Sequence, residues 1–392
     1  MPGLPIYLDY NATTPCDPRV VAEMLPYFTE VYGNAASRTH SYGWAAQEAV
    51  EQAREQVARL IGAGPKEIVF TSGATEAVNL ALKGVFERYA SKGTHVITCA
   101  TEHKAVLDTC GHIEKSGGAV TYLPVDSTGV IDPARVEAAI TPGTILIAVM
   151  YANNETGTVH PVREIGAIAR KHGIPFFCDA TQATGKIPVD VDADNIDMLS
   201  FSAHKIYGPK GAGALYVRRK NPRVLLTAQI DGGGHEKNMR SGTLNVPGIV
   251  GFGKAAELSL EEMGTDGARL SVLRDRLEHS LLQIPHTYVN GRRDSRLPHV
   301  TNISFQYIES QSLLMSLSKE VALSSGSACT SASMEPSYVL KAMGLDDDLA
   351  YASLRFSLGR FTTSEQIDRV IPLVARSVAD LREVSPQWIL KQ

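Results

Sequence analysis

Four short apolar runs in this sequence end in side chains that can do chemistry. IPFFCD closes on Asp179, DMLSFSAHK on His204 and Lys205, THVITCATEH on His103, and ILIAVMYANNE on Asn153, Asn154 and Glu155. A single strand-end aspartate is ordinarily a turn former or a helix cap, and most lysines are solvated. Four such ends carry more weight. If the runs are parallel strands, their carboxyl ends open on one crevice, which is where sheets of this kind bind ligands. A fifth run, VFTSGATEAVNL, turns through Gly73 into a helix, so Ala74 and Thr75 offer backbone N–H groups and a hydroxyl at the positive end of a helix dipole. That is a place for a phosphate. It is not a nucleotide P-loop, because G-x-x-x-x-G-K-[ST] is missing, and GPKGAGAL at 208–215 opens no helix, so the dinucleotide fingerprint fails too.

A phosphate cradle, a carboxylate and an amine in one crevice match a cofactor with a phosphate, a basic ring nitrogen and an aldehyde, which is pyridoxal 5′-phosphate. Asp179 would keep the ring nitrogen protonated so that the ring can draw electrons. Lys205, inside SFSAHKIYGPKG, would hold the aldehyde as a Schiff base and then move protons at the substrate α-carbon.

The elements that must position these groups are legible in the rhythm of residues 66–220. EIVFTSG, THVITCATEH, AVTYLPVD, TILIAVMYANNETG, IPFFCDATQ, DMLSFSAHK and GALYVRR read as strands by length and β-branched content. EAVNLALKGVFERYASKG, PARVEAAI and REIGAIARKHG between them carry helical spacing, the last stopping at Gly173 as a C-cap. The alternation predicts an α/β fold with a mainly parallel seven-stranded sheet covered by helices on both faces. WAAQEAVEQAREQVARLIG is expected to pack against it. After about residue 255 the rhythm changes to a long helix, then HVTNISFQY, ASLRFSLG and a final helix. The expectation is a large domain over 15–257 and a smaller α+β domain from 258–392, with 1–14 folding back onto it.

Composition excludes some classes. With 392 residues, two or three domains and a sizeable core are expected. A net charge of −4 gives no electrostatic case for nucleic acid or an anionic membrane surface. MPGLPIYLDYNATTP carries no basic segment followed by an apolar run, and no apolar stretch reaches the length that spans a bilayer, so a cytoplasmic protein is expected. Cys16, Cys99, Cys110, Cys178 and Cys329 lack C-x-x-C spacing, which indicates neither a zinc site nor a disulfide framework.

The sequence resembles the cysteine desulfurases of the IscS/NifS type, in the fold-type I, class V aminotransferase-like group of pyridoxal phosphate enzymes. The resemblance rests on YLDYNATTP, FTSGATEAVNLAL, TEHKAVLD, NNETG, DATQ, SFSAHKIYGPKGAGALY, GGGHEKNMRSGTLN, SSGSACTSASMEPSYVLKAMG and RFSLGRFTTSEQID, in that order over most of the chain. It implies Lys205 as the Schiff-base lysine, Asp179 on the pyridine nitrogen, Gln182 on the ring hydroxyl, and His103 stacked on the ring and assisting proton transfer. Ala74, Thr75, Ser202 and His204 would hold the phosphate. Thr243 would reach the phosphate of a neighbouring subunit, so the site implies a homodimer. Arg355, helped by Asn154, would pair with the carboxylate of L-cysteine, as a guanidinium does through two parallel hydrogen bonds.

The resemblance also gives a use for Cys329, which sits in VALSSGSACTSASMEP, residues 321–336, with nothing bulky beside it. Its thiolate would take sulfur from L-cysteine as a persulfide, leave L-alanine, and carry the sulfur to an acceptor. Small neighbours lower the barrier to movement of such a loop. The implied acceptor is an iron–sulfur scaffold protein, with tRNA thiolation or another sulfur pathway as alternatives. PQWILKQ ends the chain earlier than the resemblance leads one to expect of members whose tail contacts that scaffold. A selenocysteine lyase or another class V enzyme would keep Lys205 and Asp179, but neither needs a cysteine at 329. A scaffold protein that had lost catalysis would not need an amine at 205.

Overall fold

The computed structural model describes residues 3–325 and 336–391. Its strands are β1 (Ile6–Tyr7), β2 (Ile68–Thr71), β3 (His95–Cys99), β4 (Ala119–Leu123), β5 (Thr144–Ala148), β6 (Phe176–Asp179), β7 (Met198–Ser202), β8 (Gly213–Val217), β9 (Thr287–Asn290), β10 (Val300–Phe305), β11 (Val321–Ala322) and β12 (Ser353–Ser357). The seven segments expected as strands are β2 to β8, and they form one sheet in the order β2-β8-β7-β6-β5-β3-β4. Pairing is parallel from β4 through β7, but β8 runs antiparallel to both β7 and β2. Strand direction has no signature in the residue pattern, so this reversal was not legible in GALYVRR.

Apart from the half-exposed edge strand β4, the strands are buried on both sides, so both faces of the sheet are apolar. Ile97, Ile147, Phe176, Cys178, Leu199, Phe201 and Tyr216 point into one core, while Val96, Leu146, Phe177, Met198 and Leu215, their neighbours along the strands, point into the other. This alternation follows from the two-residue period of a strand. Helices Ala74–Arg88 and Lys104–Lys115 cover the second face, and Ser41–Leu60, Val162–His172 and the first half of Val246–Leu281 cover the first. Gly173 ends its helix in the left-handed region, with φ of 65°, which relieves the last carbonyls at no steric cost. The long helix begins at Val246, earlier than its apolar rhythm suggested. Asn245 caps it by accepting from the Gly248 amide, and Pro247 fits the first turn.

A second sheet, β12-β10-β9, is antiparallel. It packs with the second half of Val246–Leu281 and with Ser364–Glu383 around a separate apolar cluster that includes Leu277, Ile303, Phe305, Leu354, Phe356 and Val374. The N-terminal segment joins this side of the molecule: β1 pairs in parallel with β11, and Asp9 bridges to Ser357. No helix among the described residues is long and apolar enough to cross a membrane.

Candidate active site

The carboxyl ends of β3, β5, β6 and β7 lie on one edge of the large sheet, and the polar strand ends converge there. Asp179 is the last residue of β6 and is 6% exposed. Its Oδ1 accepts from the Thr181 amide (3.0 Å), the Thr181 hydroxyl (2.5 Å) and the Ser200 hydroxyl (3.3 Å), which fix the carboxylate's orientation. Lys205 follows β7 on a single 3-10 turn, and its Nζ donates to the carbonyls of Asn11 (2.5 Å) and Ala12 (2.7 Å). His204, half-buried beside it, meets the Thr13 hydroxyl through Nδ1 at 3.1 Å. Burial and the charges of Lys205, Lys210 and Lys186 hold its ring down to about 4, so it is neutral at pH 7.

At the phosphate turn, helix Ala74–Arg88 starts directly after Gly73, and the Ala74 amide donates to the Ser202 hydroxyl at 2.7 Å. Thr75 is exposed on the first turn. Gly213 of β8 passes so close that a Cβ there would lie 2.5 Å from the Cα of Gly73, and this close approach is what the glycine in GPKGAGAL provides. His103 caps helix Lys104–Lys115, accepting from the Ala105 amide through Nδ1 (3.1 Å).

Asn154, just past β5, accepts through its carbonyl from Arg355 Nη1 (3.0 Å) and from Asn11 Nδ2 (3.0 Å). Arg355 stands on β12, in the other sheet, 3% exposed, with Nη2 on Asp9 Oδ1 at 2.8 Å. Asn154 Oδ1 and Arg355 Nε are buried with no hydrogen-bond partner among the described residues. Buried polar atoms are nearly always satisfied, so an acceptor and a donor left open in one crevice mark where a ligand belongs. Gln182 donates to the Asn11 carbonyl (3.0 Å) and accepts from Lys186 (2.7 Å). Thr243 is exposed on the 227–245 loop. Cys329 lies outside the described residues.

Several residues here had not been singled out. Asn11 joins the site together: its carbonyl receives Lys205 and Gln182, its amide nitrogen reaches Asn154, its backbone N–H reaches Ser357, and its Oδ1 meets His299 Nε2 at 2.7 Å. Since Oδ1 can only accept, the proton of the neutral His299 ring sits on Nε2. Lys186 is half-buried with its amine on Gln182, and desolvation together with the charges of Lys205 and Arg355 pushes that amine well below the usual range. Glu102 is buried next to His103 and accepts from the Met150 amide at 2.6 Å. Burial pushes its carboxyl well up, partly offset by that amide and reinforced by the Asp179 charge. Glu155, one of the strand ends the sequence did mark, is raised by burial while holding the Ser337 hydroxyl at 2.5 Å. YNATTP and TEH were conspicuous as strings, but the partners of these side chains lie up to 288 residues away.

An amine, an oriented carboxylate and a helix N-terminus with a hydroxyl beside it stand at three corners of one crevice, and this donor set fits the aldehyde, ring nitrogen and phosphate of pyridoxal 5′-phosphate. The family model described as Aminotransferase class-V matches residues 6–370. The chain belongs to that family. Its members depend on pyridoxal 5′-phosphate. Curated relatives include "Cysteine desulfurase IscS" of Anaeromyxobacter dehalogenans, 60% identical over 98% of this chain and 95% of that protein, and the protein of the same name from Pectobacterium carotovorum, 56% identical over the same shares. Among solved structures, a "NifS-like protein" superposes with a TM-score of 0.90 at 37% identity, covering 96% of this chain and all of that one. "SspA in complex with cysteine" gives 0.81 at 39% identity, over 91% of this chain and all of that one. The α/β fold with a mainly parallel seven-stranded sheet expected from the strand rhythm is thus the fold found, and the class V membership that the resemblance implied is borne out.

Proposed function

We infer that the protein is a cysteine desulfurase, converting L-cysteine to L-alanine and leaving the sulfur as a persulfide on Cys329. The observation that carries this reading is the meeting of Lys205, Asp179 and Arg355 in one crevice, in a chain 55–60% identical over 98% of its length to curated cysteine desulfurases.

Pyridoxal 5′-phosphate, when bound, supplies an aldehyde for the substrate amine and a ring that stores the electrons released at the α-carbon. Asp179, kept oriented by Thr181 and Ser200, would hold the ring nitrogen and Gln182 the ring hydroxyl, with Asn154 beside the cofactor. Ala74, Thr75, Ser202 and His204 would hold the phosphate, and His103 would stack on the ring. Arg355 takes the substrate carboxylate, exchanging its contact with Asp9 for the bidentate pair, and the open Asn154 Oδ1 faces the same crevice.

Lys205 Nζ removes the α-proton and returns one to carbon. The two carbonyls of residues 11 and 12 give the amine a fixed resting point while it is not engaged. The Cys329 thiolate attacks the substrate sulfur: a sulfur–sulfur bond forms, the carbon–sulfur bond breaks, and the electron pair left on carbon is protonated to give the methyl group of alanine. One thiol hydrogen thus ends on alanine, and no outside oxidant or reductant is needed. The persulfide sulfur passes to an acceptor protein, for which an iron–sulfur scaffold is our first assignment. A reducing cytoplasm is the setting we assign, since Cys329 must return as a thiol.

We assign the working form as a homodimer in which Thr243 of one copy completes the phosphate site of the other. The support is an exposed Thr243 and an apolar surface on residues 21–44, where Leu25, Phe28, Tyr32 and Trp44 are more than half exposed.

The test is to add L-cysteine to purified holoenzyme and measure alanine, with Lys205→Ala as control. Alanine formed by the native protein and not by the variant is expected. Formation of a keto acid in place of alanine would identify an aminotransferase and overturn the reading.

A further inference from the structure

The loop that carries Thr243 holds a backbone conformation that side-chain-bearing residues rarely adopt. Glu236, Lys237 and Asn238 are consecutive and all left-handed, with φ of 47°, 58° and 63°. Each is costly for a residue with a Cβ, and such conformations persist only where the surroundings impose them.

What imposes this one is visible at Glu236, which is 7% exposed. Its two carboxylate oxygens receive Arg54 Nη1 and Nη2, both at 2.8 Å, and one of them also receives the Phe70 amide at 2.7 Å. Arg54 in turn donates to the Ile68 carbonyl (3.0 Å) and lies over the Phe70 ring. β2 is the edge strand of the large sheet, and the Ile68 carbonyl and Phe70 N–H point off that edge. The ion pair therefore occupies the place of an eighth strand: it satisfies the open edge and fastens the left-handed turn to it. Further along, Arg240 grips Glu76 in the first turn of the phosphate helix at 2.7 and 3.3 Å, and Glu76 receives the Ser72 amide. The loop is anchored on both sides of Met239, and Thr243 emerges three residues past the second anchor.

We propose that Glu236, clamped by Arg54 to the edge of β2, is a positioning residue that fixes the Thr243 hydroxyl for the cofactor phosphate bound in a second copy of the chain. The proposal rests on the shared-site reading above. The clamp converts the rigidity of the large sheet into a fixed reach across the dimer, since a hydroxyl on a loop left to fluctuate would forfeit most of its hydrogen bond to a charged oxygen.

The experiment follows the rate at which purified holoenzyme loses its visible cofactor band in buffer free of pyridoxal phosphate, alongside the dimer fraction by sedimentation. Thr243→Ala and Glu236→Gln should each speed the loss about ten- to hundredfold, the range for one hydrogen bond to a charged group. The double variant should be no faster than Thr243→Ala alone, and the dimer should persist. Arg54→Lys, which cannot bridge both oxygens, should act in the same direction as Glu236→Gln. Cofactor loss unchanged in Glu236→Gln and Arg54→Lys but fast in Thr243→Ala would overturn the clamp alone. Multiplying effects in the double variant, or dissociation of the dimer, would reduce Glu236 to a structural residue and overturn it too. A silent Thr243→Ala would sink the shared-site reading together with the clamp.

Discussion

Asn11 illustrates how much of the site rests on side chains that do no chemistry. Replacing it by alanine leaves the backbone carbonyl under Lys205, and the Asn154 carbonyl keeps its bond from Arg355, but the buried His299 N–H is stripped of its partner. An orphaned buried donor costs about 1–3 kcal/mol. The Asn11→Ala variant should therefore lose roughly 1–3 kcal/mol in urea unfolding. A loss below about 1 kcal/mol would mean that the network relaxes around the gap. His160 is a second case. Burial holds its ring down to about 4, against 6.5 for a free histidine, with the Asp126 charge opposing. Between those values the unfolded chain binds a proton that the fold refuses, so stability is full above pH 6.5 and falls as the pH drops toward 4, by up to about 3 kcal/mol. A His160→Gln variant should lack this part of the acid sensitivity, read as a flatter urea midpoint over that window than in the native protein. An unchanged slope would contradict it.

At the scale of elements, two glycines separate packing from backbone freedom. A Cβ at Gly213 would meet the backbone of Gly73, which cannot give way without moving the phosphate turn, whereas Gly173 has open space around it and only its left-handed φ at stake. Gly213→Ala should cost about 1–3 kcal/mol and loosen the cofactor, while Gly173→Ala should cost about 1 kcal/mol and leave the cofactor alone. Unfolding curves and retention of the visible band distinguish the two, and equal cofactor loss in both would refute the argument. These elements also mark what the sequence could tell. All of β2 to β8 except β4 were readable as continuous apolar runs because they are buried on both faces, β4 by its β-branched and aromatic content, and Asp179, His204 and Lys205 were readable because such runs stop abruptly at polar residues. The antiparallel course of β8 was not, nor were the two-residue strands β1 and β11, whose pairing depends on residues more than 300 positions apart. Lys186, half-buried, and Glu102, buried, escaped for the same reason: a titratable residue enclosed by the fold looks like a surface one until its surroundings are known.

At the scale of the molecule, the reaction is divided between two sheets. Asp179 and Lys205 end strands of the large sheet, while Arg355 sits on β12 of the small one, and Asn11, on the segment between β1 and the first helix, touches both. Helix Val246–Leu281 runs unbroken from one core into the other, contributing Phe252 to the first and Leu277 to the second. On the proposed reading the substrate's carboxylate and its reacting carbon would be held by residues of different sheets. The persulfide chemistry would then fall to Cys329. The most direct measurement of the central claim is peptide mass mapping of the holoenzyme after a single turnover with less than one equivalent of L-cysteine. One added sulfur on the peptide carrying Cys329, matching the alanine formed, is the predicted result. Alanine formed at the same rate by Cys329→Ala, with the sulfur free in solution and none on that peptide, would contradict it.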